Sequence, residues 1–391
     1  MAKLGDVFSL QITGEWGSEC DTNQAGTKIL RTTNFTSNGT IDYSNIAVRK
    51  IAESKIEKKR LKKGDIILEK SGGTEKTPVG RVVFCDKAIE NDIYLCNNFT
   101  QAMRVNPAVA YPRYVFYFMW YLHYSGKTDL LQNKTTGIRN LRVKSYLDEK
   151  IPLPSLDEQR RIAAVLEKVT DLIAQRRAQL DKLDLMIKSR FVEMFGDCNY
   201  PHKPLIDLIV EGAGLSYGIV QPGNDGTGDM GVIRPVDLVD GKISMESIKH
   251  IDQSIGDAFK KTELTGDELL ITVRGTTGIT ALSNRDCKGM NVTRGIAVIR
   301  YDRNKINPVY LNAYLNAGES QNYIQEHTRG ATLQQINLSD LRILQILVPP
   351  MSQQKQLENF VNNMTKLKET IASSLNMLEV LKSSFMQKYF E

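Results

Sequence analysis

The chain repeats itself, and a repeat of this length fixes the outline of the fold before any single motif is considered. When residues 1–200 are set over residues 201–391, Leu30-Arg31 and Gly39-Thr40-Ile41 fall on Ile233-Arg234 and Gly241-Lys242-Ile243. Gly64-Asp65-Ile66-Ile67-Leu68 falls on Gly266-Asp267-Glu268-Leu269-Leu270. Ile151 to Gln159 falls on Ile346 to Gln354, and the overlay then continues without a gap to Phe195 over Phe390. Each copy reads as a turn-rich part followed by a long helix. The predicted boundaries are 1–154 and 197–350 for the two turn-rich domains, and 155–196 and 351–391 for the helices.

The helices carry heptads. Leu166, Ile173, Leu180, Ile187 and Met194 recur every seven residues, with Ile162, Val169 and Leu183 beside them and Arg176 and Arg190 interrupting. In the second copy Leu357, Met364, Ile371, Leu378 and Phe385 recur in the same way, flanked by Phe360, Leu367 and Leu381. Sustained heptads predict a coiled-coil seam. Pro154 and Pro349-Pro350 mark the helix entries, Ser155 and Ser352 are the expected caps, and Gly196 is the expected stop. A helix of ~39 residues spans ~58 Å. Two duplicated units in one chain can pair about a pseudo-two-fold axis, which would make the two helices an antiparallel coiled coil. The alternative is two independent helices in a larger bundle.

The turn-rich parts read as α+β. Short β-branched runs (Asp65–Leu68, Arg81–Phe84, Glu268–Val273, Gly295–Arg300) alternate with Gly, Asn and Thr turns. Helices are predicted over Pro112–Tyr124 and Pro308–Glu326. The aromatic cluster Tyr114, Phe116, Tyr117, Phe118, Trp120 and Tyr121 is too contiguous to form one exposed stacking row, so packing is its expected role. The expected fold class is therefore α+β: two α/β domains separated by two long paired helices, duplicated about a pseudo-two-fold.

Composition narrows the function classes. The chain is 41% hydrophobic and 25% charged, as ordinary globular domains are. No stretch approaches the ~20 apolar residues of a membrane span, and the N-terminus lacks the apolar core of a signal peptide, so a cytoplasmic location is expected. Cys20, Cys85, Cys96, Cys198 and Cys287 are scattered, as are the four histidines, and no metal site is expected. Charge is uneven. Residues 1–154 hold 23 Lys+Arg against 16 Asp+Glu, a net of +7, densest at Lys55, Lys58, Lys59, Arg60, Lys62 and Lys63. Residues 201–350 hold 15 against 17, a net of −2. Only the first segment has the bulk charge of a polyanion binder.

Two related domains on a stiff rod would read two half-sites across an unread spacer. The helices align without gaps while the domains align only in patches, the pattern of a fixed frame carrying diverged readers. The residues here resemble the specificity subunits of type I restriction-modification systems. The resemblance rests on Arg31-Thr32-Thr33-Asn34-Phe35, Lys63 to Gly73, Pro78-Val79-Gly80-Arg81-Val82, Tyr217 to Gly223, Ile233 to Leu238 and Pro152 to Ile162, in the family's order over essentially the whole chain. It implies a non-catalytic reader of double-stranded DNA whose two target-recognition domains each read part of an asymmetric, bipartite site. It also implies paired helices that dock two methyltransferase subunits, with restriction and translocase subunits joining them. No cofactor would be bound by this chain; S-adenosylmethionine, ATP and Mg²⁺ would serve the partners.

The chain shows no catalytic signature of its own. It has no Asn/Asp-Pro-Pro-aromatic tetrapeptide and no Walker A loop, and a nuclease pattern can only be forced onto Asp42 and Glu57-Lys58-Lys59. Base readout needs Arg, Lys, Asn or Gln at base edges, with Ser and Thr suited to phosphates. Loops combining these types with glycine give the candidate DNA contacts. In the first copy they are Lys70, Ser71, Thr74 and Lys76, with Lys134, Thr135, Thr136, Arg139 and Asn140. In the second they are Arg274, Thr276 and Thr277, then Asn291, Thr293 and Arg294, then Thr328, Arg329, Thr332, Gln334 and Gln335. Two other readings stay open: a DNA-modifying or cleaving enzyme with an unrecognised site, and a duplicated protein-binding scaffold.

Overall fold

Short apolar runs closed by glycine turns become the strands of two similar sets of sheets. The computed structural model describes residues 1–20, 26–75, 77–135, 137–226, 228–239, 241–330 and 333–391. They form two compact units, Met1–Ala178 with Ala372–Glu391, and Gln179–Ile371.

In the first unit the strands are β1 (Phe8–Thr13), β2 (Thr27–Leu30), β3 (Ala47–Arg49), β4 (Ile66–Glu69), β5 (Ser71–Gly73), β6 (Val82–Phe84), β7 (Tyr94–Cys96), β8 (Thr100–Val105), β9 (Gln132–Thr135) and β10 (Ile138–Leu141). They build an antiparallel sheet β1-β8-β4-β6, a sheet β3-β2-β7 and a sheet β9-β10-β5, with β2 and β7 parallel. Helices α1 (Glu53–Lys59) and α2 (Pro112–Tyr124) complete it, and α2 matches its expected span. Ala2–Lys3 pairs with Lys150–Ile151 just before the long helix α3 (Leu156–Phe195). The aromatic run of α2 is core: Tyr114, Phe116, Tyr117 and Phe118 are buried with Leu4, Ile66, Leu68 and Met103.

The second unit repeats the plan with β11 (Ser216–Tyr217), β12 (Met230–Ile233), β13 (Lys249–Ile251), β14 (Leu269–Thr272), β15 (Thr280–Leu282), β16 (Asn291–Val292) and β17 (Ile296–Ile299). The sheet β11-β17-β14-β15 is the counterpart of β1-β8-β4-β6, and β13-β12-β16 is the counterpart of β3-β2-β7, with β12 and β16 parallel. His202–Pro204 pairs with Gln345–Leu347 before the second long helix. The helix expected over Pro308–Glu326 is two helices, α4 (Pro308–Leu315) and α5 (Gly318–Glu326). Ala317 between them is extended. Gln321 of α5 donates to the Leu315 carbonyl at 2.6 Å, so a side chain replaces the broken backbone ladder.

One register corrects the overlay. Ile66 on β4 faces Met103 on β8, and Leu269 on β14 faces Ile299 on β17. The flanking ion pair then equates Asp65–Arg104 with Glu268–Arg300, not with Asp267. The overlay matched Gly-Asp by identity, but the second copy carries one extra residue before the strand. A one-residue slip would turn every side chain of that strand to the other face.

The helices α3 and α6 (Met351–Phe390) are 40 residues each. Leu166, Ile173, Leu357 and Ile371 are buried, while Leu180, Ile187, Met364 and Leu378 are half-buried. Of the flanking set, Leu367 and Leu381 are exposed at 44% and 40%. Ser155 caps α3, accepting from the Glu158 amide at 3.3 Å. Ser352 is no cap, because α6 already begins at Met351 behind Pro350.

A buried glutamine ties each helix entry to its unit. Gln159 accepts from the Tyr111 amide at 2.8 Å and donates to the Pro154 carbonyl at 2.9 Å. Gln354 accepts from the Asn307 amide at 2.8 Å and donates to the Pro349 carbonyl at 2.7 Å. The helix ends are tied by aromatics: Phe390 packs on Tyr114 with centroids 5.3 Å apart, and Phe195 on Tyr310 at 5.0 Å.

Candidate DNA interface

In each unit two of the candidate segments meet. In the first, the β9–β10 hairpin lies on β5, placing Asn140 beside Ser71 and Arg139 beside Gly73. The Ser71 hydroxyl donates to the Asn140 side-chain oxygen. Lys134 stands opposite Arg139 in the hairpin register. Thr74 and Thr77 share a hydroxyl contact of 2.7 Å in the following turn, and the Lys70 amide is spent on the Phe99 carbonyl. Lys76, Thr136 and Thr332 lie outside the described residues, as do the side chains of Lys134 and Thr135.

In the second unit Arg274 bridges Gln335. The Gly275 amide donates to the Gln334 carbonyl at 2.8 Å, and Arg329 and Gln335 exchange two backbone bonds of 2.8 Å. Thr277 and Thr328 share a hydroxyl contact of 2.9 Å. The loop turns at Gly330, with φ +101°, where a Cβ would stand 2.3 Å from the Leu333 carbonyl oxygen; only glycine fits. Thr276, Arg329 and Gln334 are exposed on this loop pair. The Nε of Arg274 is buried without a hydrogen-bond partner.

The third segment of the second unit divides. Arg294 is exposed and Thr293 half-buried. Asn291 is 0% exposed; its amide accepts from the Thr262 hydroxyl at 2.8 Å and donates to the Phe259 carbonyl at 3.1 Å. The structure therefore removes Asn291 from the surface: parallel pairing of β16 with β12 turns it inward to hold the Phe259–Thr262 turn. Two residues that polarity-based reasoning passes over stand out instead. Ile138 on the hairpin and Leu333 on the matching loop are 54% and 48% exposed. Their signal in the sequence is an isolated apolar residue inside a polar, glycine-turned loop. Such side chains suit thymine methyl groups.

Several conspicuous cations are spent within the fold. Arg81 makes a bidentate pair with buried Glu69 at 2.8 and 2.9 Å. Arg234 pairs with buried Asp237 at 3.0 and 2.9 Å, and Arg31 reaches the Asn45 carbonyl at 3.1 Å. Lys55 and Lys59 hold Glu15 at 3.2 and 3.0 Å, and the Lys59 hydrogen bond, with help from Lys55, keeps its carboxyl below the usual range. From the basic run, Lys58, Lys62 and Lys63 remain exposed, and among the described residues no carboxylate lies within 4.0 Å of them. Asp42 of the forced nuclease pattern is turned to the Ser44 amide at 2.9 Å. Among the described residues no group of three or more His, Cys, Asp or Glu could hold a metal ion, and no helix is long and apolar enough to cross a membrane.

Known proteins share this plan. The chain is 22% identical over 268 residues to the type I restriction enzyme EcoBI specificity subunit of Escherichia coli, covering 61% of this chain and 56% of that protein. It is 23% identical over 365 residues to a putative type I restriction enzyme specificity subunit, MjaX, of Methanocaldococcus jannaschii, covering 90% and 83%. A solved type I restriction-modification specificity subunit from M. genitalium aligns with a TM-score of 0.54 at 12% identity, covering 100% of this chain and 95% of that one. A chain from a structure of type I system assembly and conformational transition aligns with a TM-score of 0.55 at 18% identity, covering 100% and 97%. The family described as type I restriction modification DNA specificity domain matches residues 1–183 and 225–379. Those two matches take in both copies of the duplication, and the chain belongs to the type I restriction-modification DNA specificity family.

Proposed function

We propose that this chain is the sequence-reading subunit of a type I restriction-modification complex, and that it contributes recognition without chemistry of its own. The carrying observation is the pair of loop sites, one per copy, in corresponding places of the repeat but furnished with different side chains. In residues 1–154 the reader is the β9–β10 hairpin on β5; in residues 197–350 it is the 274–277 and 328–335 loop pair. Arg139 and Asn140 on one side, and Arg329, Gln334 and Gln335 on the other, are of the types that pair with guanine and adenine edges, while Ser71, Thr276 and Thr328 suit phosphates. Different residues on one frame give an asymmetric, bipartite site.

The helices 155–196 and 351–391 serve as frame. Antiparallel pairing as a coiled coil is supported inside each unit. Ile162 and Leu166 share a core with Met386 and Phe390, while further along α3 Arg177 pairs with Glu379 at 2.7 Å. In the other unit Phe191 and Phe195 share a core with Leu357, and Asp184 pairs with Lys368 at 2.6 Å. On this reading the pair sets the spacer and docks two methyltransferase subunits in the cytoplasm. Those partners use S-adenosylmethionine, and restriction subunits use ATP and Mg²⁺.

The test is a map of methylated adenines across the source genome with the gene intact and deleted. Loss of one bipartite motif on deletion is the expected result. An unchanged map in a strain whose methyltransferase is active would overturn the reading and favour the enzyme or the scaffold.

A further inference from the structure

The first unit holds a cleft of about 270 Å³ where α2, the Ser37–Asn38 turn, α3 and the last turns of α6 converge. Its wall is Trp120 and Tyr124, and its polar lining is Ser37, Asn38, Arg177, Glu379, Lys382 and Ser383. The Lys382 ammonium sits 3.2 Å above the centre of the Trp120 ring. Among the described residues it has no hydrogen-bond acceptor and no carboxylate partner; Arg177 takes Glu379 at 2.7 Å and Asn38 at 2.9 Å. An ammonium has three donors and needs acceptors. Here a ring face is the only stand-in. Two cations face one carboxylate, with hydroxyls and an amide around them, so the lining is one negative charge short.

We propose that this cleft is an oxyanion site, in which a phosphate or carboxylate group accepts from Lys382, with Ser37, Asn38 and Ser383 as flanking polar groups. The charged groups facing Lys382 are Arg177 from α3 and Glu379 from its own helix; α2 brings Trp120 and Tyr124, and the turn brings Ser37 and Asn38, none charged at neutral pH. Burial and then the Arg177 guanidinium push the Lys382 ammonium down to about 7, with Glu379 opposing. A bound anion restores what burial removes, so binding and protonation are linked. None of its lining residues belongs to the reader loops, and the inference does not rest on the function proposed above.

Trp120 is a built-in reporter. The chain has two tryptophans, and Trp16 lies under Arg49 at 4.3 Å, where Trp16→Phe keeps an aromatic face. In that full-length variant, Trp120 emission is followed against inorganic phosphate and against pH. The expected result is a saturable change, with the pH midpoint of the emission rising by ~1 unit or more in phosphate. Lys382→Gln should weaken phosphate binding by ~10-fold or more, because a charge-assisted bond is lost. Lys382→Arg should retain binding, and an unchanged circular dichroism melt shows that either variant folds. Duplex DNA is titrated in parallel: competition with phosphate identifies a DNA backbone phosphate as the occupant, and independent binding identifies a free anion. A linear or absent response, or one that persists in Lys382→Gln, would overturn the site.

Discussion

Glu268 shows how far one side chain can be committed. Its carboxylate accepts from the Thr265 amide and hydroxyl at 2.8 and 2.7 Å, the Gly266 and Asp267 amides at 3.1 and 3.0 Å, and the Ser283 hydroxyl at 2.8 Å. Arg300 lies 3.2 Å away. Burial alone would raise its pKa; the converging donors overcome this and hold it below the usual range. Glu268→Gln keeps the shape but leaves Arg300 facing a neutral group, and should cost the second unit ~3 kcal/mol in a denaturant melt. The pH dependence has a definite sign. With a depressed folded pKa, the stabilisation is complete above the unfolded value of ~4.3 and is lost as pH falls through the folded value. The wild type should therefore lose stability on acidification below that value, and the variant should lose less. None of this was legible in the letters, where Gly64-Asp65 seemed to mirror Gly266-Asp267; the ladder pairs Asp65 with Glu268, and Asp267 goes to Arg303 at 2.9 Å. Asn291 failed for the same reason, since residue type does not say which way a strand turns a side chain.

At the scale of elements the sequence was far more readable. Heptads repeat over enough turns to average out local noise, and proline entries stop a helix sterically. Gln159 aligns with Gln354 in one dimension, and both are the buried ties at the helix entries. What could not be read were breaks decided by tertiary partners, such as the Ala317 kink secured by Gln321. The long helices also give a clean contrast. Leu180, at a heptad position, is half-buried, whereas Leu185, five residues on, is 61% exposed. Leu180→Pro removes a ladder bond and drives its ring into the preceding turn, at ~3 kcal/mol or more. Far-UV circular dichroism should show lost helix and a lowered melting temperature. Leu185→Ala should leave both within ~0.5 kcal/mol of wild type. Leu180→Ala should cost more than Leu185→Ala, and equal effects of these two would mean that the heptad positions carry no packing.

For the whole molecule the deciding quantity is how little net positive charge it offers to DNA. The net charge is +6 over 391 residues, and residues 201–350 are at −2. Arg81, Arg104, Arg234 and Arg300 are each paired with a buried carboxylate. Non-specific affinity grows with the number of phosphates neutralised, and log K falls by ~0.9 per phosphate for each decade of salt. With a net charge of only +6 and residues 201–350 at −2, the chain should bind a cognate duplex only weakly by itself, with Kd in the ~10⁻⁶ M range or weaker at physiological salt and a shallow salt slope. Loops that read bases as proposed above would still specify sequence, because bidentate base contacts discriminate by ~1–3 kcal/mol whatever the total affinity. Fluorescence anisotropy of a labelled duplex against the purified chain, from low to physiological salt, measures both quantities. Adding the methyltransferase subunits should tighten binding and steepen the slope, since the missing phosphate contacts would come from them. Nanomolar binding by the chain alone at physiological salt would show that it carries its own electrostatic grip and that its partners are needed only for chemistry.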